Sequence, residues 1–118
     1  MSVELREQLR KALPAAMKAR DRVAVGVLRS TLAAIENAEA IVPAETKGLA
    51  IEQSPVGVGA AEADRRVLSS DDVERIVRDE MAARENAAAD YDRVGHPDRA
   101  AQLRDEARLL ADFLRREA

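Results

Sequence analysis

The sequence predicts an all-α protein: a small four-helix bundle of two antiparallel helical hairpins, with a long loop between helices 2 and 3. Three observations carry this. Apolar residues recur at three- and four-residue spacing through most of the 118 residues, the period of a helix with one buried face. The chain has only five Gly and four Pro, and 35% of it is charged, as in helical proteins. Helix start and stop signals divide it at "LSSDDVERIV" and "VGHP".

Helix 1 is expected over about 3–19. Ser2 is placed to cap it, and Glu4 is favourable in the first turn. Leu5, Leu9, Leu13 (or Ala12) and Ala16 or Met17 make its stripe. Pro14 removes a hydrogen bond and crowds the carbonyl four residues back, predicting a kink or short break.

Helix 2 is expected over about 21–41. Val23, Ala24, Val27, Leu28, Thr31, Ala34, Ile35, Ala38 and Ile41 fall on one arc, which Val25 and Leu32 widen. So broad an arc predicts a central helix packed on two sides. Arg22, Gly26, Arg29, Ala33, Glu36 and Ala40 lie opposite, and Pro43 ends the helix.

Residues 43–68 lose the period. "SPVGVG" reads as a turn-rich loop, without the Lys-Ser/Thr that a phosphate loop requires. A flexible connection is expected.

Helix 3 opens with Ser69 as N-cap and Asp72 three residues on, an acidic capping box, with Leu68 and Val73 positioned as a hydrophobic staple. It should run to about Val94, where Gly95 supplies the left-handed closing residue. Pro97 then suits the first turn of helix 4, which should reach about Arg116 with Ala100, Leu103, Ala107, Leu110, Ala111 and Leu114 as its main stripe. The connection between helices 3 and 4 is short enough to force an antiparallel pair.

Length and composition bound the function. One domain of this size holds one core, and with a single Phe, a single Tyr and no Trp that core is aliphatic. The absence of Cys excludes disulfides, thiolate metal sites and Cys nucleophiles. No apolar run reaches a bilayer-spanning length, and the charged start "MSVELREQLRK" does not read as a signal peptide. A cytoplasmic protein with no membrane partner is expected. The net charge of −3 is uneven: residues 1–42 carry +2 and residues 71–118 carry −4. The basic half is mild for a nucleic-acid binder.

Two polar groupings are candidate sites. Glu80 and Arg84 project from the apolar arc of helix 3, made by Val73, Ile76, Val77, Ala87, Ala88, Tyr91 and Val94, where an unpaired charge is costly. Four residues apart, Glu first, they suit a helix-surface pair. They read as a structural polar pair at the bundle seam, shared with Arg29, Asn37 or Glu36, with a ligand site as the other reading. Lys11 and Lys18 share one side of helix 1, and Arg22 and Arg29 one side of helix 2. They read as a solvated face or, if the two sides align, as a cationic stripe for phosphates or a partner. Between the two arginines a split is expected: Arg22, near the helix end, solvated, and Arg29, mid-helix, held by an interhelical acid such as Glu80. The single His96 lacks companions for a metal site. Ser69 and Ser70 read as caps, with no His–Asp arrangement to activate either. Leu109 and Phe113, one turn apart, form an exposed partner patch or pack under the long loop. No catalytic residues, metal or cofactor emerge.

The stretch "AMKARDRVAVGVLRSTLAAIENAE" resembles the helix 1–helix 2 signature of the GatB/YqeY family, through Met17, Lys18, Ala19, Asp21, Leu28, Arg29, Leu32, Ala33, Ala34, Ile35, Asn37 and Glu39. "SSDDVERIVRDEMAARENAAADYDRVG" is similar to the family's capped third helix, including Glu80, Arg84, Tyr91 and Gly95. The resemblance covers nearly the whole chain outside 43–67. It implies one YqeY-like helical domain over 1–118, related to a module of the GatB component of the glutamine-dependent amidotransferases that act on misacylated Glu-tRNA or Asp-tRNA. In that enzyme the related tail module is associated with tRNA recognition, and the amide chemistry belongs to other domains. The family label would be carbon–nitrogen ligase with glutamine as amido-N donor. Longer members continue into a further small helical domain, and this sequence ends at Ala118, so that tail domain is not expected here.

The expectation is therefore a non-catalytic accessory or tRNA-associated module, with tRNA or amidotransferase subunits as partners. A protein-interaction module without an RNA role is the alternative, and an inherited ligase activity a further one. The oligomeric state is left open.

Overall fold

The computed structural model describes residues 2–40 and 67–117. Among these the chain forms four α-helices and no strand: α1 (Ser2–Ala19), α2 (Arg22–Ala40), α3 (Ser70–Arg93) and α4 (Pro97–Glu117). Most of the loop expected over 43–68, and Ile41 of the second helix, lie outside the described residues.

The helix ends follow local chemistry. Ser69 Oγ accepts from the Asp72 backbone N–H at 3.1 Å, and the Ser69 N–H donates to the Asp72 carboxylate at 3.0 Å. This reciprocal box satisfies two donors that a helix start leaves orphaned. Leu68 and Val73 pack into the same core cluster, as a staple would. At the far end of α3, Gly95 takes φ +83°. The His96 N–H reaches Tyr91 O at 2.8 Å and the Gly95 N–H reaches Asp92 O at 3.2 Å, the two bonds of a Schellman turn. Ser2 is already helical, so the start of α1 falls one residue before the expected one.

Pro14 does not break α1, which runs through it. Arg10 and Pro14 are both exposed, so the carbonyl that loses its donor lies on the wet side of the helix.

α3 and α4 make the most extensive contact and α1 and α2 the next, and each helix of one pair also touches both helices of the other. Arg6 at the start of α1 meets Glu39 near the end of α2 at 2.8 Å, which fixes that pair as antiparallel. The main core collects Leu5 and Leu9 from α1, Val27, Leu28 and Ile35 from α2, Val73 and Val77 from α3, and Leu110 and Phe113 from α4. A second cluster, Ala88, Ala100 and Leu103, contains only residues of α3 and α4. No described residue of α1 or α2 packs into that second cluster. Tyr91 and Val94, which periodicity assigned to the apolar arc of α3, are exposed.

Phe113 is buried and Leu109 is half-buried against the main core. Of the two readings of Leu109 and Phe113, the exposed patch does not hold, because both pack on the core, and packing under the loop lies outside the described residues. Arg116 covers the Phe113 ring at 4.7 Å, a cation–π contact that screens its edge from water.

Candidate functional site: a cationic corner between α1 and α2

The turn from α1 to α2 consists of Arg20 and Asp21. The Asp21 N–H bonds Ala16 O at 3.0 Å and the Arg20 N–H bonds Met17 O at 3.1 Å, so α1 also ends in a Schellman turn. Its left-handed residue is Arg20, at φ +58°, where glycine or asparagine is usual. Asp21 then caps α2, its Oδ1 accepting from the Ala24 N–H at 3.1 Å.

This turn frames an open depression of about 630 Å³ lined by Met17, Arg20, Arg22, Val25, Gly26 and Arg29. Of the four candidate contact residues, Arg22 and Arg29 line it. Lys11 and Lys18 are exposed on α1 but are not part of its lining. The structure adds Arg20, which helical periodicity passes over because it lies between helices. The signal for it is the two-residue length of the turn, which requires a left-handed residue after Ala19.

Arg29 is exposed. Among the described residues it meets Met17 Sδ at 3.9 Å and no carboxylate. The expectation that an interhelical acid such as Glu80 holds Arg29 is corrected, and so is the sharing of the Glu80–Arg84 pair with Arg29, Asn37 or Glu36. The neighbouring residue meets the seam instead. Ser30, turned 100° further round α2, faces the seam and accepts from Arg84 Nη2 at 2.6 Å.

Arg84 is the hub of that seam. Its Nη1 reaches Glu80 Oε1 at 3.1 Å and Glu80 O at 3.0 Å, and its Nε reaches Glu106 Oε1 at 3.0 Å. Glu80 and Arg84 are thus joined within α3, with α4 and α2 as further anchors. A second depression, about 340 Å³, lies beside this hub and is lined in part by Arg22, Gly26, Ser30, Arg84, Arg99 and Glu106.

Charge pairing separates the two halves of the bundle. Most described arginines meet a carboxylate. Among the described residues, Arg20, Arg22, Arg29, Arg75 and Arg116 do not. Three of these five line the α1–α2 depression.

His96 is exposed, with its ring edge-on to Tyr91 at 6.1 Å. Among the described residues no three His, Asp or Glu side chains converge as a metal site, and no helix is long and apolar enough to cross a membrane.

No curated protein and no solved structure gives a significant match to the chain. The family model described as Yqey-like protein matches residues 6–117, a span that takes in α1 from Arg6 onward, the other three helices, the capping box and the cationic corner. The chain belongs to the YqeY-like protein family.

Proposed function

We propose that this domain is a non-catalytic accessory module that associates with tRNA, in the cytoplasm, in the service of tRNA-dependent amidation or translation. The observation that carries the reading is the segregation of cations: the arginines of α3 and α4 are largely paired within the bundle, while Arg20, Arg22 and Arg29 gather on one face with no acid partner among the described residues. Unpaired cations on one face attract a polyanion, and each phosphate they neutralise releases counterions. The kinship with the GatB component of the amidotransferases, suggested by the family motifs, points to tRNA as that polyanion.

An electrophoretic shift with total tRNA at two salt concentrations tests this. Binding at low salt that weakens steeply as salt rises is the expected result. Absence of a shift at low salt, or a shift indifferent to salt, sinks the reading.

A second reading, a protein-interaction module, is favoured by Met17, 49% exposed, and Val25 in the same depression. A thioether beside an aliphatic side chain suits an apolar partner surface. No tRNA shift at low salt, together with nuclease-resistant retention of a protein other than an amidotransferase subunit on the immobilised domain, would favour it.

A further inference from the structure

Three residues that line the α1–α2 depression are each a poor choice for the fold. Arg20 occupies a left-handed position, φ +58°, where a residue bearing a Cβ is disfavoured. Arg22 opens α2, placing a cation at the positive end of the helix dipole. Gly26 sits in the second turn of α2, where glycine weakens a helix relative to alanine. No neighbouring atom requires that glycine, since a Cβ added there meets nothing within 4 Å. Local rules broken together at one place mark a functional constraint rather than a folding one.

The depressions on either side of α2 share Arg22 and Gly26. Both reach Gly26, which is exposed and presents no side chain between them. Arg20, Arg22 and Arg29 stand on one bank, and Arg29 follows Arg22 by about 10 Å along the axis. Arg99 stands on the other bank, held only loosely by Glu106 at 3.9 Å. Two described acids near it are already hydrogen-bonded: Asp21 at the helix cap and Glu106 to Arg84.

We infer that this trough is a phosphate-binding track. A chain of phosphate groups crosses α2 in contact with the backbone at Gly26, and Arg20, Arg22 and Arg29 pair with its oxygens. Guanidinium groups bind phosphate through paired N–H donors, and the free N–H groups of the α2 start add to the positive field. The assignment rests on the tRNA reading for the source of the phosphates, but not for their chemistry.

The test uses the whole chain and three variants: Arg20→Gly, Gly26→Leu and, as a control outside both depressions, Arg75→Gln. Arg20→Gly and Gly26→Leu should each melt at or above the wild-type temperature, because each removes a local penalty. Against labelled total tRNA, Arg20→Gly should weaken binding and lower the slope of log affinity on log salt by about one. Gly26→Leu changes no charge and fills the saddle, so it should weaken binding by roughly tenfold with the slope of any residual binding reduced as well. Arg75→Gln should stay within about twofold of wild type.

If the wild type binds tRNA and both trough variants bind as tightly as the control, the track is overturned while the tRNA reading stands. If no tRNA binds but tripolyphosphate shifts the amide resonances of Arg20 and Gly26, the reading falls and the track stands with another phosphate ligand. Failure with both probes overturns both. A lower melting temperature for Arg20→Gly would show that the arginine serves the fold, and would overturn the argument from misfit.

Discussion

Arg84 and Glu106 meet at 3.0 Å across the α3–α4 seam, each side chain only 13% exposed. A charge so nearly enclosed is held in place by its partners. Glu80 and Ser30 supply the remaining ones, so a single guanidinium fastens three helices. Arg84→Ala leaves two carboxylates facing each other in a half-closed seam. It should cost about 2–4 kcal/mol in chemical denaturation, below the cost at a fully buried pair because Glu80 is partly wet. A loss under about 0.5 kcal/mol would mean that water replaces the guanidinium without penalty.

Arg29 and Ser30 are adjacent in sequence and opposite in role. Arg29→Ala removes an exposed cation without an acid partner among the described residues and should fall within about 0.5 kcal/mol of wild type. Ser30→Ala removes the hydroxyl that receives Arg84 and should cost about 1 kcal/mol. Thermal melts of the two variants, compared side by side, check the order. If Arg29→Ala proved the more damaging, the seam geometry would be wrong.

The capping box at Ser69 makes a local prediction. Ser69→Ala removes the acceptor for the Asp72 N–H and should destabilise by about 1 kcal/mol. Ser70→Ala, one residue inside the helix and exposed, should change stability by no more than a few tenths of a kcal/mol. Equal effects from the two serines, measured as denaturation midpoints, would show that the cap bond contributes nothing.

Thr31 is fully buried in α2, and among the described residues its hydroxyl has no hydrogen-bond partner. The nearby Val27 carbonyl instead accepts from Ser30 Oγ at 3.2 Å. Thr31→Val keeps the shape and removes the unsatisfied group, so it should stabilise by about 1 kcal/mol. A calorimetric melt showing a loss of stability would reveal a partner for that hydroxyl.

The sequence by itself determined the helices, both ends of the third and the family. The Ser69–Asp72 box and the Gly95 turn were legible because capping bonds span three to five residues and depend on little else. The apolar stripes were legible because a helix buries one face at a fixed period. Glu80 and Arg84 could be paired from their spacing alone. Tertiary structure decided which face meets which. Periodicity says that Arg29 and Ser30 point 100° apart, but only the docking of α2 on α3 turns Ser30 toward Arg84 and Arg29 toward water. The same docking buried Phe113, left Tyr91 exposed near the α3–α4 turn, and gathered Arg20, Arg22 and Arg29 around one depression. Such relationships depend on the rotation of each helix about its own axis, which the packing of the whole core sets.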